Sequence, residues 1–288
     1  MSGLQLQAPS RLDYFRSLVA QDEGLPLLEA AISVGQDVNP SLDPQSVLVE
    51  LDRLGRRLAR RIPPDAVPLQ RLRFLNRYFF DELAFGGNVN DYYDPANSYL
   101  HQVMDSRRGI PITLALLYSE FAAHAGLQAR GVSFPGHFLV KLRLPRGEVV
   151  IDPFTGQSLS REELDERLAP YRRQQGLVGD YEVPLGLFLQ SAAPRDVLAR
   201  LLRNLKEIHL SAERWSSLLA VQERLVILLP EDWAERRDRG LARAELGMEQ
   251  GAAEDLDAYL SHCGDAQDAP ALRERLDELG RPGPSRWH

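Results

Sequence analysis

Apolar and polar positions recur with two different periods along this chain, and the change from one to the other outlines its architecture. Over residues 43–62 an Asp-Pro start is followed by Val47, Val49, Leu51, Leu54 and Leu58 at helical spacing, and Pro63 with Pro64 ends the run. A second long helix is predicted over 65–84, with Leu69, Leu72, Leu75, Phe79 and Leu83 on one buried face. Gly86-Gly87-Asn88 breaks that pattern and opens a loop rich in Asn, Asp and Tyr. Asp94-Pro95 predicts a further helix to about Met104. Pro111 suits the first turn of the next one, because its missing N–H would have no intrahelical partner there. Residues 112–125 are nearly all apolar, which predicts a helix buried on most sides and stopped by Gly126.

Beyond Gly126 the period falls to two. His137, Leu139, Lys141 and Arg143 interleave with Phe138, Val140, Leu142 and Leu144, and Pro145-Arg146-Gly147 turns the chain into Glu148-Val149-Val150-Ile151-Asp152. This predicts a hairpin. With 141 opposite 152, His137, Lys141, Val150 and Asp152 share a face, yet His137 and Asp152 stay offset along the strands and meet only through a longer loop or a bulge. Ser160-Arg161-Glu162-Glu163 has capping-box spacing and predicts a helix to about Leu168. The polar stretch 172–184 reads as a linker.

Everything after Pro194 reads as helical. Residues 233–264 are spaced like a tetratricopeptide repeat, with Gly240, Ala252, Leu256 and Tyr259 at its packing positions. The preceding residues fit the same template through Leu202, Leu205, Leu218, Leu225 and Pro230, with Lys206 where a glycine is usual. Two copies cannot bury their apolar faces alone, so they are expected to pack on other helices and to end in a capping helix near 271–279. The expected division is 1–184 as a core with amino-terminal helices and 185–288 as the repeat region.

Composition narrows the classes of function. The 288 residues hold 44% hydrophobic and 26% charged positions, ordinary for a globular protein with a substantial core. A net charge of −7 argues against nucleic acid as a partner, since binding without sequence preference needs a concentrated positive surface. A single cysteine, Cys263, forms no internal disulfide and fits a reducing compartment. Met1 to Asp22 lacks a basic stretch followed by an apolar run, and no apolar run approaches a membrane span. A cytoplasmic protein without membrane contact is expected.

Cysteine-based acyl transfer needs a thiolate at a helix amino terminus, a histidine to shuttle the proton and a carboxylate or amide to orient that histidine. His137, ahead of an alternating strand, and Asp152, at the end of the next, are candidates for the second and third parts. Four segments carry a resemblance: Arg108-Gly109-Ile110-Pro111-Ile112-Thr113-Leu114, Gly126-Leu127-Gln128-Ala129-Arg130-Gly131-Val132, Phe134-Pro135-Gly136-His137-Phe138-Leu139-Val140 and Ile151-Asp152-Pro153-Phe154. They resemble the transglutaminase-like superfamily. With Leu202-Arg203-Asn204-Leu205-Lys206, the chain resembles more closely the bacterial SirB family, a transglutaminase-like core joined to tetratricopeptide-like helices. The resemblance implies an α+β fold: a helical amino-terminal part and a papain-like core with a small antiparallel sheet, followed by an all-α tail.

Counted back without gaps from 126–130, the superfamily's cysteine falls at Pro111, which has no side-chain nucleophile. Thr113 is close in sequence, but two residues along a helix is about 200° of rotation. Lys141 and Leu139 stand where active transglutaminases place acidic and aromatic residues. His137 and Asp152 are therefore carried over as a residual pair, which either holds the hairpin in place or contacts a ligand. Tyr92, Tyr93 and Tyr99 are expected at the groove entrance, with Gly136 as a further groove candidate. No cofactor is expected, and His101 and His124 lack metal-ligand spacing. The expected function is a non-catalytic regulatory or interaction protein with a polypeptide partner. The alternative is a hydrolase or acyltransferase acting on amide bonds through His137 and Asp152.

Overall fold

The computed structural model describes residues 9–145, 147–177 and 179–279. The first residues of the segment read for a leader, and Arg146 of the predicted turn, lie outside them. Helices α1 (Arg11–Leu18), α2 (Leu27–Ser33), α3 (Pro44–Ala59) and α4 (Pro68–Asn76) come first, then strand β1 (Gly86–Gly87) and helix α5 (Leu100–Ser106). Strand β2 (Arg108–Gly109) leads into α6 (Pro111–His124). The main sheet follows as β3 (Gln128–Val132), β4 (Leu139–Leu144), β5 (Gly147–Asp152) and β6 (Gln157–Leu159). Helices α7 (Arg161–Gln174), α8 (Leu185–Phe188), α9 (Pro194–Ser211), α10 (Trp215–Leu228), α11 (Trp233–Glu245), α12 (Glu249–His262) and α13 (Ala269–Leu279) complete the chain.

By its internal contacts the chain divides into two compact units, one of residues 27–35 and 41–201, the other drawn from 9–26, 36–40 and 202–279 among the described residues. This division falls inside α9, later than the 184/185 boundary expected from sequence, and it groups the first helix with the tail.

In the first unit the predicted apolar helix is α6. Leu114, Leu117 and Tyr118 have no exposure, because a helix with no polar stripe must be covered all round. Helices α3, α4 and α5 and strands β1, β3 and β4 supply that cover. Asp43 caps α3 by accepting from Gln45 N, as the Asp-Pro start predicts. The long helix predicted over 65–84 is α4 followed by a π-helical stretch, Arg77–Glu82. Leu72, Leu75 and Phe79 are buried as predicted, whereas Leu69, in the first turn of α4, is 50% exposed. Val49 of α3 is likewise exposed. The helix predicted from Asp94 is split at Tyr99 into a 3-10 turn, Pro95–Ser98, and α5.

The main sheet is antiparallel in the order β3-β4-β5-β6. Lys141 pairs with Val150 and Val140 with Ile151, so the register differs by two positions from a pairing of 141 with 152. A two-residue shift leaves every side chain on its predicted face, because faces alternate with period two. Val132, Leu139, Val150 and Leu159 accordingly form one cluster with Leu164 and Leu168 of α7 and Leu185 of α8. The Ser160–Glu163 capping box is present at the start of α7, which runs on to Gln174. The stretch expected to be a linker is anchored instead: Arg172 is 8% exposed and bonds Asp165 and the Val183 carbonyl.

In the other unit, α11 and α12 are the predicted repeat. A Cβ on Gly240 would stand 3.0 Å from Leu256 Cγ, which explains the small residue at that crossing. Leu202, Leu205, Leu218 and Leu225 of the preceding copy are all buried, and α13 is the capping helix. Lys206, in the position usual for glycine, bonds Glu235 and Asp238 of α11. The amino-terminal segment joins this unit through a buried ion pair. Arg224 of α10, with no exposure, takes Asp37 in both hands at 2.7 and 2.9 Å, and its guanidinium lies 4.8 Å from the Phe15 ring. Removing one member of a buried pair strands the other charge. Asp37→Ala is expected to destabilise this unit by about 3–5 kcal/mol. Urea unfolding followed by the fluorescence of Trp215 and Trp233 measures it, and a loss below about 1 kcal/mol would show that the pair contributes no more than a surface one.

Candidate functional site

The site begins in a tight turn. Gly136 has φ of +69°, a left-handed conformation that favours glycine, and His137 N donates to the Phe134 carbonyl at 3.0 Å. His137 therefore stands in the turn before β4 rather than inside the strand. Extending the observed pairing puts Asp152 opposite Leu139, and the turn swings the imidazole back across the remaining offset. His137 Nε2 lies 2.9 Å from Asp152 Oδ1.

Asp152 is 1% exposed and receives three donors. Besides His137, Phe154 N donates to Oδ1 at 3.0 Å and Arg167 Nη1 to Oδ2 at 3.0 Å. Burial alone pushes the carboxyl pKa up, but the hydrogen bond and charge of His137, with the bonds from Arg167 and Phe154 N, outweigh it and hold the pKa at about 2. An ionised carboxylate only accepts, so Nε2 carries the proton toward it. In the neutral ring the basic nitrogen is then Nδ1, which has no hydrogen-bond partner among the described residues. Arg167 escaped sequence reasoning because α7 was predicted to end one residue beyond it, with no reason to point back at β5.

Asp152 is tied by backbone bonds to the start of α6. Phe154 O accepts from Gly87 N at 2.9 Å, β1 pairs in parallel with β2, and Asn88 N donates to Gly109 O at 3.1 Å. Gly87 leaves room for the Phe154 ring, which a Cβ 2.4 Å away would push aside. Pro111 occupies the first position of α6 and is buried. Thr113 is also completely buried. Its hydroxyl accepts from Ile110 N at 3.1 Å and donates to the Asn97 carbonyl at 2.8 Å, so it closes the helix end and is held away from attack on any substrate.

Asn97 is a site residue that no sequence signal marks. Only 2% exposed, it accepts from Asn88 Nδ2 and donates to the carbonyls of Asp91 and Tyr92, which fixes the Asn/Asp loop over the start of α6. That loop displays two of the expected tyrosines. Tyr92 and Tyr93 are 41% and 75% exposed, pack edge to face at 5.3 Å, and Tyr92 lies 5.9 Å from the Phe154 ring. Tyr99 is not with them: at 2% exposure it belongs to the core beside His101, because the chain bends there between the 3-10 turn and α5. Gly136 lies in the turn that carries His137, with open space around it. Among the described residues no group of three or more His, Cys, Asp or Glu is placed to hold a metal ion.

The sign of the Asp152 shift fixes a pH window. Its folded pKa lies below the unfolded value of 3.8, so its stabilising contribution is whole above about pH 4 and is lost as pH falls toward about 2. Asp152→Asn is expected to destabilise the first unit by about 2 kcal/mol at neutral pH, with the gap to wild type closing between pH 4 and pH 2. Hydrogen exchange of β4 and β5 as a function of pH reads this directly. A gap that stays constant down to pH 2 would contradict the depressed pKa.

Residues 45–203 match the family model of the transglutaminase-like superfamily, and residues 205–277 match that of the tetratricopeptide repeat. The two matches meet close to the division between the compact units. A UPF0162 protein of Xylella fastidiosa (strain 9a5c) is 37% identical over 259 residues, covering 90% of this chain and 91% of that protein. A UPF0162 protein of Pseudomonas aeruginosa is 30% identical over 89% of this chain and 92% of its own length. The UPF0162 protein YchA of Escherichia coli (strain K12) is 28% identical over 88% and 93%. These relatives carry the UPF0162 name rather than SirB. No solved structure matches the chain significantly. The fold is thus α+β with an all-α tail, and the chain belongs to the UPF0162 family and, through residues 45–203, to the transglutaminase-like superfamily.

Proposed function

We propose that this protein is a non-catalytic regulatory or interaction protein whose transglutaminase-like groove binds a polypeptide without turning it over. One observation carries the reading: the His137–Asp152 pair is assembled at 2.9 Å, while α6 opens on a buried proline where the resemblance puts the nucleophile. An imidazole and carboxylate with nothing to deprotonate supply no acyl transfer. The exposed Tyr92 and Tyr93 next to Phe154 suit a peptide-contacting wall, since tyrosine offers rigid apolar area with a polar tip. The tetratricopeptide repeats support a second protein-contacting surface on the tail. The likeness to the SirB family supplies the regulatory part of the proposal. A cytoplasmic location is in keeping with a single cysteine and with the absence, among the described residues, of any helix long and apolar enough to cross a membrane.

The rival reading, an amide hydrolase or acyltransferase, draws on the same His137–Asp152 geometry with a water or substrate group as nucleophile. Two measurements separate them. Purified protein is expected to hydrolyse no amide substrate and to form no covalent adduct in the groove with an electrophilic amide mimic, as read by intact mass and peptide mapping. His137→Ala is expected to change polypeptide binding by less than about fivefold, under about 1 kcal/mol. Amide hydrolysis that disappears in His137→Ala would overturn the non-catalytic reading.

A further inference from the structure

Arg200 is a half-buried cation that reaches no carboxylate among the described residues. It lies on the part of α9 that belongs to the first unit, and its Nη1 is held by Ser133 Oγ at 2.6 Å and the Phe134 carbonyl at 3.2 Å. Its guanidinium also stands 5.5 Å from the centre of the Phe138 ring. That Phe134 carbonyl is the one that accepts His137 N, so the arginine and the histidine are fixed to the same turn. Burial pushes the Arg200 pKa down, and the neighbouring Tyr92 phenol offsets this only in part.

The two buried arginines among the described residues reach carboxylates, Arg172 to Asp165 and Arg224 to Asp37, and the half-buried Arg239 reaches Asp255, whereas the half-buried Arg71 has its guanidinium taken up by three backbone carbonyls. Arg200 reaches no carboxylate among the described residues, and its Nε and Nη2 make no hydrogen bond there. Those two groups form the edge of a guanidinium that accepts a carboxylate with both oxygens at once. The neutral acceptors on Nη1 and the ring of Phe138 hold that edge in one orientation, so little side-chain entropy remains to be lost on binding.

We infer that the Nε and Nη2 edge of Arg200 is the anchor of the groove and that it selects a polypeptide with an acidic side chain next to an apolar residue. This rests on the peptide-binding reading above. Charge complementarity names the acid, and the exposed Tyr92 and Tyr93 beside Phe154 receive the apolar neighbour. One two-donor edge matches a monoanionic carboxylate better than a phosphate, whose greater charge and three oxygens call for more cations.

The test uses the full chain and pools of N-acetylated, C-amidated decapeptides, degenerate except for a central Glu, Gln or phosphoserine. A fourth pool has the central Gln and a free carboxyl terminus. Fluorescence polarisation is expected to give Glu peptides about tenfold tighter binding than Gln peptides, the size of one bidentate charge-assisted contact. Arg200→Gln is expected to erase that ratio. Arg200→Lys, which keeps the charge and loses the fork, should retain only about a third of it. Equal binding of the Glu and Gln pools by wild type overturns the inference while leaving a peptide groove in place. A preference for phosphoserine or for the free carboxyl terminus overturns it in favour of a different anion. Failure to bind any pool overturns the peptide groove itself. The wild-type ratio decides the matter even if Arg200→Gln does not fold.

Discussion

The first unit is organised by the need to bury α6 on every side. Leu114, Leu117, Tyr118 and Phe121 are at most 1% exposed, and a helix without a polar stripe has no face to offer water. Helices must cover it on one side and a sheet on the other, so the order of elements around it follows from that one requirement. Its amino terminus poses a second problem, because the first N–H groups of a helix have no internal partners. Pro111 brings no N–H, and the Thr113 hydroxyl takes that of Ile110, so two of these groups are accounted for within the chain.

The same closure shapes the site. Backbone bonds run from β2 to β1 and on to Phe154, and Phe154 N reaches the Asp152 carboxylate, so the helix end and the His137–Asp152 pair form one connected piece. Asp152, with almost no exposure, is held as an anion by its three donors. A buried proline at the head of α6 serves that closure.

In the second unit charge replaces the small residue a repeat usually employs. Lys206 extends from α9 to Glu235 and Asp238 of α11, and Arg203 adds bonds to Asp232 and Glu235. Burial opposes the charge on Lys206, but these carboxylates outweigh it and raise its pKa. Asp37 plays the matching part for the amino-terminal segment by answering the buried Arg224. Buried ion pairs of this kind contribute less to net stability than to fixing which segments belong together.

Local rules account for what the chain announces about itself. The Asp43 cap, the proline that opens α6, the all-apolar stretch behind it, the alternation of β4 and β5 and the Ser160–Glu163 box each depend on residues within a turn or two of one another, and each appears as expected. The faces of the hairpin were also legible, because a two-residue slip preserves them. The π-helical stretch Arg77–Glu82 was not, and neither was the exposure of Leu69, since nothing nearby distinguishes Leu69 from Leu72. Candidate residues His137 and Asp152 could be named from motif and spacing, yet their contact depends on a turn at Gly136 and on a pairing register set by the whole sheet. Arg167, Asn97 and Arg200 could not be named, because no motif marks them and their bonding partners in the site, Asp152, Thr113 and Ser133, lie 15, 16 and 67 residues away. The sequence by itself determined the helices, the hairpin and the proline that opens α6. Only the tertiary structure decided which distant charges meet, because charges so far apart along the chain are brought together by packing and not by local conformation.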